Sequence, residues 1–299
     1  MMQTAAFIEN PITETLERLR ANSNLNSTDW FDLVGISFSD YIDLKLNSKS
    51  LPEKSVESLS KYFSLQPEQI ITGQINFKDL TLKMEHGSKE LPEIYGKAAF
   101  GRQRTSITSL DFVEHFGGWR LRHDSIKKLG VTENSMLNPF APISMKFITD
   151  LCSYLSLRQL QKKDFYEMGA FSFVSNRSSV LGKILAEMPD SNSAYDLFFA
   201  ECMKLLQRNY LYSITKRSKD HLTVEYVTDS EVGAESGVRH LGSQHVCQIQ
   251  AGFISTIPMY LGLPAADVTK SSCVHCGDAV CTLQIDLTEA NAAQATRSF

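Results

Sequence analysis

The 299-residue chain contains no apolar run near the ~18–20 residues needed to cross a bilayer. Its first residues, Met1 to Pro11, lack the basic-then-apolar pattern of an export signal. Positive charge is not in excess: the net charge is −4, which excludes the electrostatic footprint of a nucleic-acid binder for the chain as a whole. Six cysteines in a chain of this length, without an export signal, argue against a disulfide scaffold. GxxxxGK[ST], HExxH, GxSxG and a GxGxxG after a strand are all missing. Gly233-Ala234-Glu235-Ser236-Gly237 puts its serine one place too late for a nucleophile elbow. Tandem repeats and low-complexity tracts are missing too. These absences predict a soluble, cytoplasmic protein that is not an enzyme. What is present, 42% hydrophobic against 21% charged residues, suffices for a sizeable core and excludes wholesale disorder.

Residues 1 to about 85 read as short helices. Asn10 can cap a helix with Pro11 at its first position and Ile12, Leu16 and Leu19 on its apolar face. A second helix is expected over Asp29–Val34. Gly35 then permits a turn, and Ser37 caps a third helix through Leu46. Pro52 opens a fourth, with Val56, Leu59 and Phe63 on one face, and Pro67–Ile71 forms a last turn ending at Gly73.

The run Trp30 to Ile42, with the Leu51-Pro52 to Gly73 stretch behind it, resembles a phage-repressor-type helix-turn-helix over residues 10–75. That resemblance implies that the third helix is offered to a major groove. Carried over by position, Phe38, Ser39, Asp40 and Asp43 face the bases, and Ser37, Phe38, Ser39 and Lys45 are the candidate DNA contacts. Residues 1–85 nevertheless hold twelve acidic side chains against eight basic ones, and phosphates repel two aspartates on a reading helix. A degenerate bundle used for partner contact therefore stands beside DNA binding.

His86-Gly87-Ser88-Lys89-Glu90 reads as a hinge. Residues 96–130 then carry seven basic side chains (Lys97, Arg102, Arg104, Arg120, Arg122, Lys127, Lys128) against three acidic ones. A solvated face is the first reading of that block, and contact with an anionic partner the second.

From about residue 105 helices and strands mix. Ser144 can cap a helix with Phe147, Ile148, Leu151 and Leu155 on one face. Val180, Leu181, Ile184 and Leu185 predict a second, and Ala194, Phe198, Cys202 and Leu205 a third. Tyr210–Thr215 and Leu222–Val227 predict a hairpin. A long helix is expected from Ser243 to Leu261, and a last strand alternates through Cys281, Leu283, Ile285 and Leu287.

Cys247 followed by Cys273-Val274-His275-Cys276-Gly277-Asp278-Ala279-Val280-Cys281 and the alternating strand resembles the carboxy-terminal signature of the 4-vinyl-reductase domain, in the sensor branch found in phenol- and xylene-responsive activators. The resemblance implies an antiparallel sheet packed by helices around an apolar pocket, often in a homodimer. It also implies a structural zinc held by cysteines matching Cys247, Cys273 and Cys281 plus a glutamate, at a position that is Lys270 here. Lysine cannot replace a carboxylate ligand, so Cys276, His245 or His275 is left to complete a tetrahedron; Cys247, Cys273, Cys276 and Cys281 are the expected set.

The expected fold class is therefore α+β: an all-α helix-turn-helix bundle (1–86), a linker (87–104), an α/β domain (105–288) with an antiparallel sheet packed by helices, and a flexible tail (289–299). A small hydrophobic ligand is expected against Phe198, Phe199, Met203, Tyr226, Phe253, Ile257 and Met259, each of which is also an ordinary core residue in type. The expected function is a ligand-sensing regulator, foremost a transcriptional one. An adaptor with a non-DNA-binding helix-turn-helix is the alternative, and an enzyme on a tetrapyrrole-like substrate the last.

Overall fold

The computed structural model describes residues 11–23, 25–47, 50–84 and 90–297. Its fold is α+β, in two compact units, Met1–Ser88 and Lys89–Phe299. Asn10 and residues His86 to Lys89 of the expected hinge lie outside the described residues. No helix among the described residues is long and apolar enough to cross a membrane.

The first unit is all helix: α1 (Pro11–Asn22), α2 (Ser27–Val34), α3 (Phe38–Asn47), α4 (Glu53–Phe63), α5 (Pro67–Thr72) and α6 (Phe77–Met84). Its boundaries follow from local chemistry. Asn26 accepts from the Asp29 N–H at 3.0 Å to cap α2, and Gly35 ends that helix at φ 69°, a left-handed conformation glycine adopts without a Cβ penalty. Ser37 Oγ then accepts from the Asp40 N–H, while the Asp40 carboxylate takes the Ser37 N–H and hydroxyl in return, a closed capping box. Trp30, Leu59 and Ile70 fill the centre. Helix α6, absent from the sequence reading, is capped by Asn76 and adds Phe77 and Leu80 to that core.

The second unit opens with α7 (Glu93–Gly96), β1 (Gly101–Arg102) and the long α8 (Gln103–Leu129), broken where Gly118 turns to φ 76°. The segment read as linker 87–104 is thus structured from Glu93 onward: β1 pairs antiparallel with β2 (Pro142–Ile143), and α8 starts directly behind it. Then follow α9 (Met145–Leu157), α10 (Lys162–Ala170), α11 (Ser172–Asn176), α12 (Val180–Ala186), α13 (Ser191–Leu197), a π-helical turn at Phe198–Cys202, and α14 (Met203–Leu206). Strands β3 (Tyr210–Arg217) and β4 (His221–Thr228), helices α15 (Ser230–Ser236), α16 (Gln244–Ser255) and α17 (Ile257–Tyr260), strands β5 (Asp267–Ser272) and β6 (Cys281–Asp286), and α18 (Thr288–Arg297) complete the unit. The expected flexible tail 289–299 is helical through Arg297, because Asp286 caps α18, Ala290 is buried, and Asn291 Nδ2 donates to the Lys219 carbonyl.

The sheet is antiparallel throughout, in the order β3-β4-β6-β5. Cys281, Leu283 and Ile285 of β6 face the core, as their alternation with polar residues dictates. Helix α16 is buried on two sides: Cys247, Ala251 and Ile254 join the sheet-side core, Val246 and Ile249 the core of α8, α9 and α10. Its approach to α10 needs two glycines. A Cβ on Gly169 would lie 1.9 Å from the Ile249 carbonyl oxygen, and one on Gly252 1.9 Å from that of Tyr166. No other side chain permits this backbone-to-backbone contact.

The basic block at 96–130 is not uniformly solvated. Arg122 is buried, with Asp111 at 3.0 Å, Glu114 at 3.6 Å and Glu133 at 2.8 Å around its guanidinium. Desolvation is the largest single influence on that group and opposes its charge. The combined pull of Glu133, Asp111 and Glu114 outweighs it and raises the Arg122 pKa above the ordinary value.

Candidate ligand-binding site

A cavity of about 90 Å³ lies within the second unit, between β1–β2 and helices α8, α9, α10, α11, α14 and α16. Its body is apolar: Ile143, Met145, Ile148, Met168, Met203, Leu206, Val246, Ile249 and Phe253. Gly169 belongs to the same wall, so the close contact of α10 with α16 shapes one side of the space. Polar groups stand at defined points. Asn209, 1% exposed, donates through Nδ2 to Gln207 Oε1 at 3.1 Å, but its Oδ1 has no hydrogen-bond partner. Ser172 Oγ is likewise buried without a partner. Arg104 donates through Nε to Asn176 Oδ1 at 2.5 Å.

From Asn209 a polar chain leads toward the sheet. Gln207 Nε2 donates to the Tyr212 hydroxyl at 2.9 Å, which donates in turn to Gln250 Oε1. Tyr212 stacks on Tyr226, its register partner on β4, with ring centroids 5.4 Å apart. Beyond Tyr226 lies Cys281, opposite it on β6. Burial pushes the hydroxyl pKa values of Tyr212 and Tyr226 up, so both stay protonated at ordinary pH.

Three of the four expected metal-ligand cysteines meet here. The sulfurs of Cys247, Cys273 and Cys281 lie within 4.8 Å of one another, with Cys273–Cys247 at 3.7 Å and Cys247–Cys281 at 3.9 Å. The intervening Cys-Gly-Asp sequence is explained locally. Asp278 accepts the Cys273 N–H at 2.7 Å, and Gly277 takes φ 101° to close the loop. Contact between the two sulfurs favours the thiolate form of Cys281 and disfavours that of Cys247, and the Val274 N–H lies 3.4 Å from the Cys281 sulfur.

The four-thiolate zinc set is corrected. Cys276 is exposed and outside the trio. The alternative fourth donors do not join the trio: His275 Nε2 lies 3.1 Å from the Leu241 carbonyl oxygen, and His245, its ring packed on Phe165 at 4.3 Å, stands outside the cluster. Three buried thiols fall short of the closed tetrahedron of a structural zinc site.

Of the expected ligand residues, Met203 and Phe253 line the cavity. Phe198, Tyr226 and Ile257 are core, Phe199 lines a separate shallow groove with Tyr212, and Met259 is half-buried outside the cavity. Arg104, Ser172, Asn176 and Asn209 were missed in the sequence; the basic block was the one signal that pointed at Arg104. In the first unit Phe38 is 65% exposed, Ser39 is exposed, and Ser37 is consumed by its cap. Lys45 lies on α3, with its side chain outside the described residues.

No family model matches the chain, and no curated protein does. Among solved structures it is similar to H-NOX proteins. One is a point mutant of the H-NOX protein from K. algicida in its Fe(II) unliganded form, at 13% identity and a TM-score of 0.48 over 62% of this chain and 95% of that one. The H-NOX protein from S. oneidensis in its Fe(II)NO state gives 13% identity and 0.46 over 62% and 98%. A third, described through the effect of porphyrin distortion on heme redox potential, gives 11% and 0.45 over 62% and 99%. The expected 4-vinyl-reductase domain and its zinc are corrected accordingly: these similar structures are H-NOX, Fe(II) and heme proteins.

Proposed function

We propose that the second unit is a receptor for a small molecule with an apolar body, and that the chain is a ligand-responsive regulator rather than an enzyme. One observation carries this: an apolar cavity whose wall holds two buried polar atoms without partners, Ser172 Oγ and Asn209 Oδ1. Left unfilled, a cavity of about 90 Å³ costs about 2 kcal/mol in packing. Each unsatisfied polar atom adds ~1–3 kcal/mol. A guest of matching shape recovers the packing, and polar atoms on it recover the hydrogen bonds. The heme of the similar structures does not transfer on chemistry: among the described residues the cavity wall offers the thioethers of Met145, Met168 and Met203 but no histidine, tyrosine or cysteine as an axial ligand, and about 90 Å³ does not hold a macrocycle. Native mass spectrometry of the purified chain, with thermal unfolding against small aliphatic probes, tests the reading. A co-purified molecule or a raised Tm supports it; neither, across the probes, overturns it.

For the first unit, contact with a partner protein fits better than DNA reading. Helix α3 presents the exposed Phe38, Ile42 and Asp40 with the half-buried Asp43, an apolar and acidic surface that phosphates repel. A gel-shift titration over a salt series distinguishes the two, since salt-sensitive retention of DNA would reverse this preference.

A further inference from the structure

We infer that the guest of the cavity is an anion, a small carboxylate with an apolar body, held by Arg104; this rests on the receptor reading above. The lining contains two arginines, Arg102 and Arg104, and no aspartate, glutamate, lysine or histidine. Helix α8 shows what the chain does with an arginine meant for structure. Arg122 is enclosed by three carboxylates within 4.0 Å. Arg104, in the first turn of the same helix and part of the cavity wall, has no carboxylate within 4.0 Å among the described residues. Its recorded side-chain bond is to an amide oxygen, that of Asn176, through Nε. Asn176 is itself fixed by donating to the Ser172 carbonyl at 2.8 Å, so Nε is oriented and the two terminal nitrogens of the guanidinium are left for a planar, bidentate acceptor.

Ser172 supplies an independent pointer. Its hydroxyl is buried on the same wall without a partner, and it can donate to a carboxylate oxygen. Arg102, exposed and bonded to the Phe140 carbonyl at 3.2 Å, adds positive potential at the rim, where it favours entry of an anion in a salt-dependent way. Against these polar groups stand nine apolar side chains of the wall, which demand a body of hydrocarbon. A free phosphate or a nucleotide does not meet that demand.

The test is isothermal titration of the full chain with butyrate, whose size suits a cavity of about 90 Å³, and with its neutral amide, in parallel with Arg104→Gln and Arg102→Gln. The carboxylate is expected to bind at least tenfold more tightly than the amide. Arg104→Gln should bring acid and amide affinities to within twofold of each other, and Arg102→Gln should weaken carboxylate binding at low salt only. Thermal unfolding of both variants in parallel reads whether either substitution has cost the fold. Equal binding of acid and amide overturns the anion assignment and leaves the receptor reading standing. Binding of neither overturns both. An acid preference that survives Arg104→Gln in a folded variant overturns the role of Arg104.

Discussion

The two units share local helix caps and differ in the close long-range contacts added to them. Residues 11–84 build six short helices whose ends are fixed by neighbours in sequence, Asn26 with Asp29, Ser37 with Asp40, and Gly35 and Gly73 in the left-handed region. Residues 90–297 use such caps too, at Ser144, Asp190, Asp229 and Ser243, and depend besides on partners far away. Gly169 meets Ile249, Gly252 meets Tyr166, and Arg122 gathers Asp111 and Glu133 across eleven residues on either side. Local closure tolerates change one cap at a time, whereas distant closure fails at single residues.

Breaking that contrast at its strongest point calls for Gly252→Val. The new side chain would enter the space of the Tyr166 carbonyl, which belongs to helix backbone and cannot give way. A loss at or above ~3 kcal/mol, the upper end for overpacking, is expected in urea unfolding of the second unit. Arg122→Met should follow at about 3 kcal/mol, because it leaves three partly buried carboxylates facing one another; their partial exposure to water keeps the loss at the low end for a broken buried pair. In the first unit Asn26→Ala removes one cap, and ~1 kcal/mol is the expected cost by thermal denaturation. Should that substitution unfold the unit outright, the claim of local closure is wrong.

Two smaller effects sharpen the picture of the second unit. A bulky thiol reagent should label Cys276 alone in the folded chain, with the other five cysteines reacting only after denaturant is added; mass spectrometry counts the adducts. The His245 pKa is held below its ordinary 6.5, first by burial and then by Lys270 and Lys162. The unfolded chain therefore takes up the proton first, and stability must fall as pH drops below about 6.5. His245→Phe should flatten that slope, as read from denaturation midpoints across the range.

What the sequence disclosed follows the same division. Gly35, Ser37, Pro52 and the alternation of β6 were legible because each acts within a few residues. The three inward cysteines were found through a resemblance that the similar solved structures then overturned, so the grouping stands while its assigned metal does not. The cavity wall was mostly illegible. Residues 101–104 read as linker because two-residue strands carry no periodicity, and α8 hid its apolar face because Gly118 changes the helix direction midway. Helix α10 went unseen since its key position is a glycine, the residue that ordinarily argues against a helix interior. Met203 and Phe253 were legible as large apolar residues; Asn209 and Ser172 were two polar residues among many until the fold enclosed them.

The touching backbones of α10 and α16 also set what an arriving guest can move. Two rods whose peptide groups are already at their distance of closest approach cannot be pressed nearer, and parting them strips both of packing on each side of α16. Widening of the chamber is left to its other walls, the β1–β2 pair with α8, α9, α11 and α14.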